Sequence, residues 1–118
     1  MKKKKIFIIT GEPSGDLLAY KVIKNLDLKK YNIRGILGDN LKKLKIKKLF
    51  DNSSITFFGI KDVLLNIFFI KKKINDTVKD IEQYNPGVVF SVDAPDFVFR
   101  VVKKIKKNKK IKPKFLHY

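Results

Sequence analysis

A chain of 118 residues points to one domain, and at 44% hydrophobic residues it is too apolar for a disordered tail and long enough to bury a core. The absence of cysteine excludes disulfides and cysteine metal sites. Lysine and arginine number 28 against 11 acidic residues, and the resulting +17 charge attracts polyanions such as nucleic acid, anionic lipid headgroups or phosphorylated substrates. Only Arg34 and Arg100 are arginines, which weakens a reading of specific base recognition; surface drift toward lysine accounts for the excess equally well.

Lys2 to Lys5 followed by Ile6-Phe7-Ile8-Ile9 has the start of a signal peptide, but the apolar run is too short and a glycine-rich turn replaces the cleavage site. No stretch approaches the roughly 18 uncharged residues of a transmembrane helix. The expectation is a cytoplasmic protein, peripheral to a membrane. Ile6 to Thr10 predicts a buried strand, and Leu18, Ala19, Val22, Ile23 and Leu26 predict a helix by their spacing. Ile33 to Leu37 predicts a second strand ended by Gly38. Leu41 to Leu49 reads as a short helix, and Ile55 to Phe58 as a third strand.

A long helical pattern runs from Ile60 to about Tyr84, broken by Asn85-Pro86-Gly87. Val88 to Val92 is almost wholly apolar, as in the middle of a parallel sheet. Pro95 opens a further helix that buries Val98, Val101, Val102 and Ile105. Lys114 to Tyr118 begins a fifth strand. Strict alternation of strand and helix predicts an α/β fold with a doubly wound parallel sheet. A chain that stops inside a strand reads as a truncated domain; a small flavodoxin-like domain complete at five strands is the alternative.

In open parallel sheets ligands bind beyond the carboxyl ends of the strands, where the strand order reverses. In the order 3-2-1-4-5 the first and fourth strands flank that reversal. The two unusual polar loops, Gly11-Glu12-Pro13-Ser14-Gly15-Asp16 and Asp93-Ala94-Pro95-Asp96, follow those two strands. Gly11 and Gly15 allow a sharp turn close to a ligand. Glu12 would repel phosphate but suits hydroxyl groups. Helix capping by Glu12 or Ser14, with Asp16 answering the helix dipole, explains the first loop without a ligand. Asp93 ends a strand beside apolar walls, a setting that suits a general base, although an N-cap is the simpler role. Asp96 falls in a first helical turn, where a carboxylate is stabilising in any case.

His117 is the only histidine and reads as structural before any other consideration. Between Phe57 and Lys73 the core stripe is met by Ile60, Val63, Leu64, Ile67 and Phe68. Phe58, Leu65, Phe69 and Ile70 are left over, next to Lys71, Lys72 and Lys73. That surplus suits a helix on an anionic bilayer, acyl-chain contact, or a helix buried on several sides.

Together, Gly11-Glu12-Pro13-Ser14-Gly15-Asp16, Phe58-Gly59-Ile60-Lys61-Asp62-Val63-Leu64, Val92-Asp93-Ala94-Pro95-Asp96-Phe97 and Leu116-His117-Tyr118 resemble the lipid-A-disaccharide synthase family, inverting glycosyltransferases of the GT-B type. The chain departs from the pattern at Val98, where the family usually has asparagine, and in having Phe58-Gly59 with Asp62 where the family usually has methionine-glycine with a nearby glutamate. The resemblance implies that residues 1–118 are a Rossmann-like N-terminal, acceptor-side domain, with the C-terminal donor-binding domain absent. It implies transfer from UDP-2,3-diacylglucosamine to 2,3-diacylglucosamine 1-phosphate, with release of UDP. It implies that Asp93 is the base, and that Glu12, Ser14, Gly15, Asp16 and Asp96 contact substrate. Phe58, Val63, Leu64, Leu65, Ile67, Phe68, Phe69 and Ile70 would meet acyl chains or an anionic membrane surface. No metal, cofactor or nucleic-acid partner is expected.

Overall fold

The computed structural model describes residues 3–44, 46–56 and 67–118. The elements in order are β1 (Lys4–Thr10), α1 (Pro13–Ile23), β2 (Tyr31–Leu37), a 3-10 turn at Leu41–Lys43, β3 (Lys47–Asp51), α2 (Ser53–Thr56), α3 (Ile67–Tyr84), β4 (Val88–Val92), α4 (Pro95–Lys107) and β5 (Lys114–His117). The strands form one parallel sheet in the order β3-β2-β1-β4-β5. The expected doubly wound sheet is therefore observed, and its order reverses between β1 and β4.

Alternation along β1 divides the core. Ile8 joins Ile33, Leu37 and Val92 under Ala19 and Ile23 of α1. Phe7 and Ile9 join Ile36 and Val89 on the opposite face, under α3 and α4. Each buried aliphatic or aromatic side chain contributes about 1.5–3 kcal/mol. Between α3 and β2, Arg34 donates to both Asp80 oxygens, at 2.5 and 2.6 Å. Burial pushes the nearby Tyr84 phenol up to about 12, and its hydroxyl donates to the Asn32 carbonyl.

Three expectations need correction. The third strand is Lys47–Asp51, not Ile55 to Phe58, and the helix expected over Leu41 to Leu49 is only a short turn followed by that strand. β3 lies at the sheet edge, where exposed lysines suppress further pairing and disguise the strand in the sequence. Ile55 lies in α2 instead, and Phe57 and Phe58 fall outside the described residues.

Second, α1 touches the sheet through Gly15, Ala19 and Ile23, a four-residue spacing that leaves Leu18 and Val22 exposed. Small residues there let the helix lie close over β1 and β4, so its larger aliphatics face outward. Third, α3 buries Ile70, Ile74, Thr77, Val78 and Ile81. Phe68 stands about half a turn from that stripe and is 84% exposed, while Ile67, in the first turn, is also exposed. Ile70, expected on the surplus face, belongs to the core. No described helix is long and apolar enough to cross a membrane.

Candidate active site

Thr10 and Val92 stand side by side at the carboxyl ends of β1 and β4. The Gly11 N–H donates to the Val92 carbonyl at 3.3 Å, so the two loops leave the sheet together. They then interlock. A Cβ added at Gly11 would overlap Cβ of Ala94, and one added at Gly15 would overlap Oδ2 of Asp93. Two acidic loops some 80 residues apart thus close on one crevice only because glycine lines one side.

The β4–α4 turn is strained. Asp93 and Ala94 are both left-handed, with φ of 62° and 48°. Such a conformation costs a non-glycine residue about 1–2 kcal/mol, more easily borne by Asp than by Ala. The Asp93 N–H donates to the Tyr118 carbonyl at 3.4 Å, and the Ala94 carbonyl accepts from Val98 N–H at 3.0 Å. The carboxylate aimed by this turn has a buried Oδ2 with no hydrogen-bond partner among the described residues. Buried polar atoms are nearly always paired, so this oxygen is an exception, and it coincides with the strained turn.

Capping does not account for these residues. The N-cap of α1 is Glu12, whose side chain makes no cap bond, and Ser14 lies inside the helix. Ala94 holds the N-cap position of α4, so Asp93 does not cap it. Glu12, Ser14 and Asp96 are exposed at this end of the sheet, Asp96 in the first turn of α4.

Asp16 has a structural task. It is 1% exposed, and its carboxylate accepts from the backbone N–H groups of Gly38 at 2.8 Å, Asn40 at 2.7 Å and Leu41 at 3.2 Å. It pins the loop after β2 to α1. His117 lies in β5, its Nδ1 2.7 Å from Ser91 Oγ. At the end of β3, Lys42 hydrogen-bonds Asp51 and holds that carboxyl down to about 2, helped by the Ser53 N–H. Sequence reasoning missed Asn52, a buried side chain that reaches from the end of β3 to the turn after β1. Of the apolar contact set, Phe58, Val63, Leu64 and Leu65 lie outside the described residues; Ile67, Phe68 and Phe69 are exposed and Ile70 is buried.

The sequence pattern of lipid-A-disaccharide synthetase matches residues 6–118, which includes both loops, β1 from Ile6 onward and the other four strands. The chain belongs to the lipid-A-disaccharide synthetase family. A lipid-A-disaccharide synthase of Rickettsia bellii is 40% identical over 107 residues, which cover 89% of this chain and 28% of the relative. The enzyme of that name from Rhodospirillum centenum is 31% identical over 121 residues, covering all of this chain and 30% of the relative. The chain thus spans less than a third of the length of these family members. A solved structure, the lipopolysaccharide outer core galactosyltransferase WaaB in its apo form, is similar over 96% of this chain and 32% of its own, with a TM-score of 0.57 and 17% identity. That likeness is one of fold.

For a member of this family the crevice geometry yields a direct test of Gly15. In Gly15→Ala the new methyl must displace the Asp93 carboxylate, because the alternative is to lift α1 off the sheet. The Asp93 and Ala94 amide signals of Gly15→Ala are expected to move, while those of Val89 and Phe115 in the sheet stay. Thermal melting should move by only a few degrees. Unmoved Asp93 and Ala94 signals would show that the Asp93 position is not set by this contact.

Proposed function

We propose that the chain is the acceptor-side domain of an inverting glycosyltransferase that makes the lipid A disaccharide from UDP-2,3-diacylglucosamine and 2,3-diacylglucosamine 1-phosphate. The observation that carries this reading is the buried, unpartnered Oδ2 of Asp93 on a strained turn at the switch point of the sheet. Membership of the family supports the substrate assignment. Asp93 accepts the proton of the acceptor 6-hydroxyl while that oxygen attacks the anomeric carbon of the donor from the face opposite UDP. A carbon–oxygen bond forms, the bond to the UDP oxygen breaks, and the anomeric configuration inverts. Glu12 and Ser14, exposed beside the crevice, orient the acceptor hydroxyls; Asp96 lines its other side.

Donor binding falls to a second domain beyond this one. The length of the relatives, more than three times that of the matched stretch, supports that division. Contact with an anionic membrane at the inner face of the cytoplasmic membrane is part of the same reading, supported by exposed Ile67, Phe68 and Phe69 beside Lys71 to Lys73 and by the +17 charge.

A chimera tests the reading. Residues 6–118 replace the matching stretch of the Rickettsia bellii relative, and the product is assayed for disaccharide and UDP. Formation of both is the expected result. A folded chimera that releases neither, where the unmodified relative does, would overturn the assignment.

A further inference from the structure

The corner between β3 and α2 lies against the turn that follows β1, and one buried side chain joins them. Asn52 is 4% exposed. Its Nδ2 donates to Thr10 Oγ1 at 3.2 Å and to the Glu12 carbonyl at 3.3 Å. Its own N–H donates to the Leu37 carbonyl at 2.9 Å, and its carbonyl accepts from the Ile55 N–H at 3.0 Å as α2 begins. Thr10 Oγ1 donates onward to the Ile36 carbonyl at 2.9 Å. One residue therefore ties together the ends of β1 and β2 and the start of α2.

The Glu12 carbonyl is held from two sides. Asp16 N–H donates to it at 3.0 Å from within α1, as an ordinary helical bond, and Asn52 donates from a different part of the chain. Glu12 itself is extended, with φ of −143° and ψ of 162°, and has no side-chain cap bond. The backbone at the point where the strand becomes the helix is thus set by a side chain 40 residues away.

We propose that Asn52 is a positioning residue for the acceptor. By fixing the Glu12 carbonyl it sets where Glu12 and Ser14 stand across the crevice from Asp93, and hence where the acceptor sugar is held. The inference rests on the crevice being the acceptor site. It adds a third loop, after β3, to the two that form the crevice wall. Asn52 touches no substrate itself; it acts through the turn it holds.

The test uses the 118-residue chain, labelled with nitrogen-15, and glucosamine 1-phosphate, which carries the acceptor's sugar and phosphate without acyl chains. The amide signals of Gly11, Gly15 and Ala94 report on the crevice, and those of Val89 and Phe115, paired in β4 and β5, report on the sheet. The unaltered chain is expected to show saturable shifts at the crevice amides. Asn52→Ser, too short to reach the Glu12 carbonyl, is expected to bind about tenfold more weakly, or about 1.4 kcal/mol, with the sheet amides unmoved. Thr10→Val keeps the bond to Glu12 but removes the hydroxyl that seats Asn52, and a loss of about threefold is expected. Unaltered affinity in Asn52→Ser overturns the inference and leaves the acceptor reading standing. Should Asn52→Ser not fold, unaltered affinity in Thr10→Val overturns it. A wild-type chain with no shifts at the crevice amides overturns the acceptor reading and this inference together.

Discussion

Asp93→Asn, placed in the chimera with the Rickettsia bellii relative, is expected to lower turnover by roughly 1,000-fold, within the range that a general base contributes. The substitution changes little else. Asparagine has nearly the volume of aspartate and tolerates the left-handed backbone at φ 62° at least as well, so the turn is preserved. What disappears is the capacity to take a proton. The effect on stability should run the other way. Oδ2 of Asp93 is buried without a partner among the described residues, and a neutral amide there removes the burden of an unpaired charged group. The melting temperature should therefore hold or rise while turnover falls, the pattern of a residue retained for chemistry at a cost in stability. Saturating kinetics beside a thermal melt measure both. Near-wild-type turnover would remove Asp93 from its role, and a large drop in melting temperature would show that its carboxylate serves the fold.

Asp16→Ala should have the opposite signature, a large loss of stability. The carboxylate of Asp16 satisfies three backbone N–H groups of the loop after β2, in a place where water does not reach. Each buried donor left without an acceptor costs about 1–3 kcal/mol. A loss of about 3 kcal/mol or more is expected, a large share of the 5–15 kcal/mol typical of a domain. Asp16→Asn should lose less. Its one carbonyl oxygen can still serve Gly38 and Leu41, but its amide then faces the Asn40 N–H, donor against donor. Guanidinium midpoints of the three proteins would rank wild type, Asn and Ala in falling order. A midpoint for Asp16→Ala close to wild type would show that the loop finds other acceptors.

The two carboxylates, 16 and 93, look alike in the sequence: each follows a buried strand and lies at or near a helix start. Their environments separate them. One is saturated by backbone donors and organises a loop; the other has a buried oxygen with no partner among the described residues, packed against Gly15.

Much of the fold was legible without coordinates. β1, β4 and β5 are short runs of apolar residues between glycine, proline or lysine, α4 begins at a proline, and alternation of strand and helix restricts the sheet to a parallel, right-handed winding. Convergence of the loops after β1 and β4 follows from that topology. These features are local, or follow from chain geometry, so composition and period report them. Tertiary structure alone decided the rest. β3 is an edge strand whose outward lysines imitate a helix face. The phase of α3, with Ile70 inward and Phe68 outward, depends on how the helix is rotated against a sheet that its own sequence does not contain. The left-handed pair at Asp93 and Ala94 packs against Gly11 and Gly15, where a Cβ would collide. The roles of Asp16 and Asn52 consist of hydrogen bonds to backbone groups 22 to 40 residues away. Periodicity shows which side of an element is buried, but not which donors or acceptors another loop will bring to it; that is settled only when the loops meet.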